Sequence, residues 1–426
     1  MPFIDRFRQR RFASPPSRQP VNGLRRSFDS QGDAGAQEAR RSFIPENYVV
    51  AASRWCEARE PVFAPETVVG VRPFYWGGAL PPDPAVWSRF FHHYLFVPEL
   101  CIDRWRDMTV AGAGLMFTAD GEVLHGAVPL GGGEELLGGP WNDLPTMESV
   151  AGLYSGAFPA VHERLDFGIL IARSAPGNYH HVLCDIIPRL FLIEEAVLRP
   201  DVLARCPELL DAPILINGDM PEWALSMIEA VGFSRERLRP IPIGRAVDVK
   251  QLYVPHVLNN FAYWVSPHLT ARYRQLLAWA KAQAPNADYG TKIFSLRAEV
   301  TDDRRRIHNL EQLRTDLLSR GYVEVATQSM SWPEQIVAFS EATHIVAAMG
   351  SNISNMLFSP PEARVLIVHP EESRYSLNTG MAAAGGQKIG YLWARCFSSP
   401  VRGEHVEMYV DAAAFSDAIG VLEGSA

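Results

Sequence analysis

The sequence predicts an α/β protein made of two such domains facing a cleft. Three observations predict it. From residue 165 onward, short apolar runs alternate with stretches of helical periodicity, the pattern of strands joined through helices. Gly, Pro and Asn punctuate these stretches where helices start or stop. The composition, 47% hydrophobic and 21% charged over 426 residues, can fill more than one core. It excludes a mainly disordered chain, a disulfide miniprotein and a coiled coil.

Residues 1–44 stand apart as a disordered basic tail. Within 1–42, nine Arg (Arg6, Arg8, Arg10, Arg11, Arg18, Arg25, Arg26, Arg40, Arg41) face four acids (Asp5, Asp29, Asp33, Glu38). That is a net +5, which leaves −13 for the remainder of a chain at −8. The tail offers weak docking to an anionic membrane surface, the inner membrane included; the bland alternative is a solvated tail without a partner. No apolar h-region follows the arginines, so a secretory signal is excluded. The acidic balance argues against a nucleic-acid partner. Five cysteines (Cys56, Cys101, Cys184, Cys206, Cys396), odd in number and without a C-x-x-C, suit reduced thiols in a cytoplasm. No stretch reads as a transmembrane helix: 342–361 lacks charged residues but carries Gly350, Asn352, Asn355 and Pro360-Pro361.

The first domain is expected over 45–270. Residues 114–124 read as two strands joined by the turn Asp120-Gly121, and Gly131–Gly133 and Gly138–Pro140 mark loops. Phe167–Ala172 is a continuous apolar run, hence a buried strand. Tyr179–Val197 has helical spacing (Val182, Leu183, Ile186, Ile187, Leu190, Ile193), kinked or restarted at Pro188. Pro213–Asn217 and Gln251–Pro255 are strands; Pro221–Val231 is a helix with Gly232 past its end.

The second domain is expected over 271–426. It opens on one strong helix, Ala271–Ala284. Lys292–Leu296, Tyr322–Ala326, His344–Ala348 and Arg364–Val368 read as strands. Between them, Asn309 caps a helix ending at Arg320-Gly321, Ser331 and Glu334 form a capping box, and Ile353–Phe358 is a short helix. A last helix, Ala412–Leu422, is expected to pack back on the first domain. Alternating strands and helices predict a parallel sheet covered on both faces. Its ligands would bind at the carboxyl ends of the strands, in the loops after Leu296, Ala326, Ala348 and Val368.

Three places could carry chemistry. The loop from Met349 through Gly350, Ser351, Asn352 and Ile353 to Asn355 follows a strand and opens a helix, so its backbone amides suit a diphosphate; a tight turn with nothing bound is the alternative. It is neither a P-loop nor a G-x-G-x-x-G fingerprint. Arg297, at the end of a strand, and the run Arg304-Arg305-Arg306 offer guanidinium forks for phosphate, although some of the run would be solvated loop. His181 and Asp185, spaced i and i+4, share a helix face, so the carboxylate could orient a general base. In isolation a satisfied structural pair is the stronger alternative, and two ligands alone are weak evidence for a metal. The pair His92-His93 has no such context. No D-x-D is present, which favours a metal-independent site of arginines and helix ends, with no cofactor.

In these segments the chain resembles glycosyltransferase family 61. Asn178, Tyr179, His181, Asp185, Pro188 and Arg189 follow its N-Y-x-H-W-x-x-D-x-x-P-R. Ser295 and Arg297, then Arg305, Arg306, Ile307 and Asn309, are similar to its S-R…R-R-I-x-N-E. Ser331, Glu334 and Gln335, then Gly350 to Phe358, resemble its s-x-x-E-Q…H-G-A-G-L-[ST]-N-M-[LI]-F. The resemblance covers about 105–395. It implies a GT-B-like fold of two Rossmann-like domains, an acceptor-side domain first and a nucleotide-sugar domain second. It implies an inverting hexosyl or pentosyl transfer from a nucleotide-diphosphate sugar to a glycan, as in capsular polysaccharide biosynthesis by bacterial members. His181 with Asp185 would be the base. Arg297 and Arg306, with the amides of Gly350, Ser351 and Asn352, would hold the diphosphate, while Gln335 and Asn355 would brace that donor site. The sequence departs from the pattern at Met349 (family His), Ser351-Asn352 (Ala-Gly), Val182 (Trp) and Leu310 (Glu). Met cannot donate a hydrogen bond to phosphate, so a degenerate carbohydrate- or nucleotide-binding protein is the competing expectation.

Overall fold

The apolar runs assemble into two main sheets, one in each of two compact units. One unit lies within Met1–Glu66 and Pro98–Leu258, the other within Thr67–Val97 and Asn259–Ala426. The computed structural model describes residues 56–79, 90–91, 94–117, 123–124, 160–173, 175–260, 264–296, 306–373, 375–397 and 407–424. The expected basic tail, the Asp120-Gly121 turn, the glycine loops at 131–133 and 138–140, His92-His93, and Arg297, Arg304 and Arg305 lie outside the described residues. All five cysteines are free thiols, and no described helix is long and apolar enough to cross a membrane.

The N-terminal unit holds an eight-stranded sheet. Leu238–Ile241, Ile214–Asn217, Ala160–Leu170 and Arg245–Pro255 lie side by side in that order and run parallel. Leu100–Ala111 then pairs antiparallel with Arg245–Pro255, and Cys56–Phe63, Leu115–Phe117 and Val123–Leu124 continue in antiparallel pairings. The sheet is therefore mixed, parallel on one side and antiparallel on the other. The reason is connection length: the three-residue turn Gly112–Gly114 can join only antiparallel neighbours, whereas parallel strands need a helical crossover. Gly114 has φ 75°, and a Cβ there would sit 2.2 Å from the Ala172 carbonyl oxygen, so only glycine closes this turn against the end of the central strand. Trp105, Met108, Leu170, Leu215, Val249 and Leu252 fill one core of this unit.

The C-terminal unit holds five parallel strands in the order Val323–Glu324, Lys292–Ser295, His344–Ala348, Arg364–Pro370, Lys388–Cys396. In chain order this is 2-1-3-4-5, a doubly wound arrangement whose switch point lies between Lys292–Ser295 and His344–Ala348. Trp76–Gly78 adds a further parallel strand against Tyr391–Trp393. Of the first domain expected over 45–270, Thr67–Val97 clusters with the second unit. The boundary expected at 270 falls at Leu258, and Thr270 hydroxyl donates to the Ala384 carbonyl at 3.2 Å.

Three helices differ from expectation for local reasons. The single helix over 271–284 is two, Pro267–Arg274 and Leu277–Gln283. Arg274 Nε donates to the Ser359 carbonyl at 2.9 Å, while the second helix packs on Trp332–Glu341, with Trp279 and Trp332 rings 5.7 Å apart. One straight rod does not serve both anchors. Asn309 precedes the helix Leu310–Ser319 without capping it; its amide instead bonds both the N–H and the carbonyl of Val410. The last helix, Ala412–Glu423, packs on its own unit's sheet, burying Phe415, Ala418, Ile419 and Leu422 with Phe294, Val346, Leu366 and Leu392. The capping box forms as read: Ser331 N–H donates to Glu334 Oε2 at 2.8 Å and Glu334 N–H donates to Ser331 Oγ at 3.4 Å.

Candidate active site

The His181 segment starts from Asn178, whose extended backbone and side-chain oxygen cap the helix by accepting from the His180 N–H at 3.0 Å. One α-turn, Tyr179–His181, passes into a π-turn, Val182–Ile186, and then into the α-helix Ile187–Leu198. Pro188 explains the change. It has no N–H for the Cys184 carbonyl, and the widened turn, with Ile187 N–H reaching Val182, absorbs the defect. The kink expected at Pro188 is thus a π-turn just before it.

This backbone sets His181 Nδ1 3.0 Å from Asp185 Oδ2. A carboxylate only accepts, so Nδ1 donates and Nε2 is the basic nitrogen. Arg173 forms an ion pair with the same Asp185 oxygen. Arg173 follows the strand Ala160–Leu170, and its backbone is clamped by Asn217 at the end of the neighbouring strand. Its N–H donates to Asn217 Oδ1 at 3.0 Å, and Asn217 Nδ2 donates to its carbonyl at 2.6 Å. The group therefore sits at the carboxyl ends of two adjacent parallel strands, where such sheets bind ligands. The side chains of His181 and Asp185 are 5% and 6% exposed, and that of Arg173 19%, so arginine is the outward member.

Burial, then the charge of Arg173, then His180, lower the His181 pKa from 6.5 to about 2. Burial and Arg173 lower His180 to about 3. Both imidazoles are neutral at physiological pH, and the two rings meet edge to face at 5.5 Å. Arg189, the last residue of the motif, is wholly buried; its Nη1 reaches the Ala172 carbonyl at 3.5 Å.

In the C-terminal unit the glycine loop stands at the switch point. Gly350 is extended, and Ser351–Phe358 forms a 3₁₀ helix. Asn352 Nδ2 donates to Ser295 O at 3.2 Å and Ser295 Oγ at 3.0 Å, tying the ends of the two strands that flank the switch. Gly350, Ser351 and Asn352 are half-buried. Met349 is buried, its N–H bonded to the Val368 carbonyl. Gln335 Nε2 donates to the carbonyls of Thr327 (2.9 Å) and Met330 (3.1 Å), and its Oε1 accepts from Asn355 Nδ2 at 2.9 Å. Both amides are buried behind the loop, a wall that fixes it. Arg306 is exposed, and its carbonyl accepts from Met408 N–H at 2.7 Å.

The structure brings His181 together with Asp185 in one unit, and Gly350, Ser351 and Asn352 with Gln335 and Asn355 in the other. Sequence reasoning missed Arg173 and Asn217. Their signal was a polar residue directly ending each apolar run, at 167–172 and 213–217. Among the described residues no three His, Cys, Asp or Glu side chains gather as a metal cage.

No curated protein matches the chain. Residues 179–366, a narrower span than 105–395, match the family model described as Glycosyltransferase 61. They carry His181 and Asp185 in one unit and Gln335, Gly350, Ser351, Asn352 and Asn355 in the other, so this stretch is similar to a glycosyltransferase domain.

Proposed function

We propose that the protein is a glycosyltransferase that moves a hexosyl or pentosyl group from a nucleotide-diphosphate sugar to a hydroxyl of a glycan or polysaccharide, with inversion and without a metal. In this reading the units form a GT-B-like pair, the N-terminal one holding the acceptor and the C-terminal one the donor. His181 Nε2 takes the acceptor proton while Asp185 steadies the imidazole. The acceptor oxygen bonds to the anomeric carbon as the bond from that carbon to the diphosphate oxygen breaks. The amides of Gly350, Ser351 and Asn352, with Arg297 and Arg306, neutralise the departing diphosphate. Free thiols at all five cysteines support a cytoplasmic setting, with the basic tail touching the inner membrane.

The single observation that carries this reading is the His181–Asp185 bond at the carboxyl end of a parallel strand, inside the stretch similar to Glycosyltransferase 61. Release of nucleoside diphosphate from a panel of nucleotide sugars, with and without glycan acceptors, tests it. One donor is expected to turn over, and His181→Ala to lower kcat by about 10²–10⁴.

A second reading is a non-catalytic nucleotide- or carbohydrate-binding protein. It is favoured by Met349, a buried thioether where the family pattern has His. Tight nucleotide binding with no turnover across the panel would establish it.

A further inference from the structure

Of the described Lys and Arg side chains, Arg189 alone is buried, at 1% exposure. Its Nη1 touches the Ala172 carbonyl at the 3.5 Å limit of a hydrogen bond, and its Nε has no partner among the described residues. On an unbroken α-helix, Asp185 four residues earlier would be its ion-pair partner. The π-turn separates them, and Asp185 turns to Arg173 and His181. Burial draws the Arg189 pKa down to about 10, which leaves it charged at neutral pH. A buried charge without a counter-charge is costly, and such groups are found paired or holding an ion.

Position gives this cation a use. The Ala172 carbonyl lies two residues past the strand Ala160–Leu170, immediately before Arg173, and Gly114 packs against it. The Arg189 guanidinium thus lies at the carbonyl of the residue before Arg173, whose own guanidinium pairs with Asp185 beside His181.

We propose that Arg189, reached past Arg173, anchors an oxyanion subsite in the N-terminal unit and binds a carboxylate or phosphate group of the substrate as a two-pronged donor. For the identity of that substrate the proposal rests on the transferase reading. The anion is then the carboxylate of an acidic acceptor sugar or the donor's diphosphate, beside the His181–Asp185 pair. The subsite itself is read by binding, without turnover.

Melting of the full chain at constant ionic strength in glucuronate, pyrophosphate or glucose separates the cases. Glucuronate or pyrophosphate is expected to raise Tm and glucose to leave it unchanged; the effective anion identifies the source. Arg189→Met is expected to abolish a glucuronate shift or weaken a pyrophosphate shift, to which the Gly350 loop also contributes in the transferase reading, and without ligand to melt no lower than the parent, because an uncompensated charge is gone. Should the Met variant fail to fold, Arg189→Lys keeps the charge without the fork and is expected to weaken the anion roughly tenfold. No shift from either anion overturns the proposal. So does a shift that survives unweakened in the Met variant, or in the Lys variant where only that one folds. Anion binding without transfer sinks the transferase reading and leaves the subsite; transfer to a neutral acceptor without any anion shift does the reverse.

Discussion

Arg173 and His181 share one oxygen, Oδ2 of Asp185. The imidazole gains orientation from this carboxylate but little basicity, since the guanidinium lies on the same atom and burial opposes its protonation. Removing the cation leaves the carboxylate to the ring. In Arg173→Gln, the His181 pKa is therefore expected to rise above its present value of about 2. Imidazole titration by NMR reads this directly, and an unmoved value would rule out Arg173 as the group that holds His181 down. If His181 is the base of a transfer reaction, the acid limb of kcat against pH moves upward with it.

Asp185→Asn takes the charge from an ion pair whose acid is 6% exposed and whose arginine is 19% exposed. Breaking a buried pair by removing one partner costs about 3–5 kcal/mol, and the partly solvated guanidinium points to the lower end, about 3 kcal/mol. Urea unfolding of the variant should show that loss. A change under about 0.5 kcal/mol would mean that solvent already separates the pair.

Acid should weaken the N-terminal unit well above carboxylate pH. His180 and His181 have folded pKa values of about 3 and about 2, below the ordinary 6.5. The unfolded chain therefore binds more protons between these limits. The stability is fully present above about pH 6.5 and falls as pH drops toward 3, by up to ~1.4 kcal/mol per pH unit for each ring. His268 and His344, also depressed by burial, add to the same limb in the other unit. Burial alone would raise the Asp103 carboxyl, but His256 and Arg59 hold it below its ordinary value, so its contribution is lost only at lower pH. Urea midpoints from pH 7 to 4 are expected to fall less steeply in the double variant His180→Asn, His181→Asn; parallel curves would contradict the buried neutral state.

What the sequence disclosed depended on how local the cause was. The Pro188 break, the Ser331–Glu334 box and the strand–glycine-loop unit at 344–350 follow from neighbours within a few residues, and they form. Trp76–Gly78 is a three-residue strand whose partner, Tyr391–Trp393, lies near the other end of the chain. Its glycine at φ 87° fits because a Cβ would meet the Trp393 carbonyl oxygen at 2.4 Å, and neither fact leaves a periodic trace. Asn309 had the chemistry of a cap but spends it on Val410, a hundred residues on. At the site, spacing revealed the bond from His181 to Asp185, whereas Arg173 entered from another strand through sheet register alone.

Gln335 and Asn355 illustrate the same limit, because motif matching places them at the donor site without saying what they touch. Gln335 gives its two amide protons to the Thr327 and Met330 carbonyls, and its oxygen accepts from Asn355 in a buried contact. Asn355→Ala leaves that oxygen buried without a donor, a loss of about 1–3 kcal/mol. Because the contact joins the helix Trp332–Glu341 to the segment after Gly350, the loss appears as a lower Tm of the C-terminal unit. Nucleotide affinity, measured below the melting range, should change little, since the amide faces Gln335. A variant that melts like the parent yet no longer binds nucleotide would make Asn355 a ligand contact and remove it from the wall.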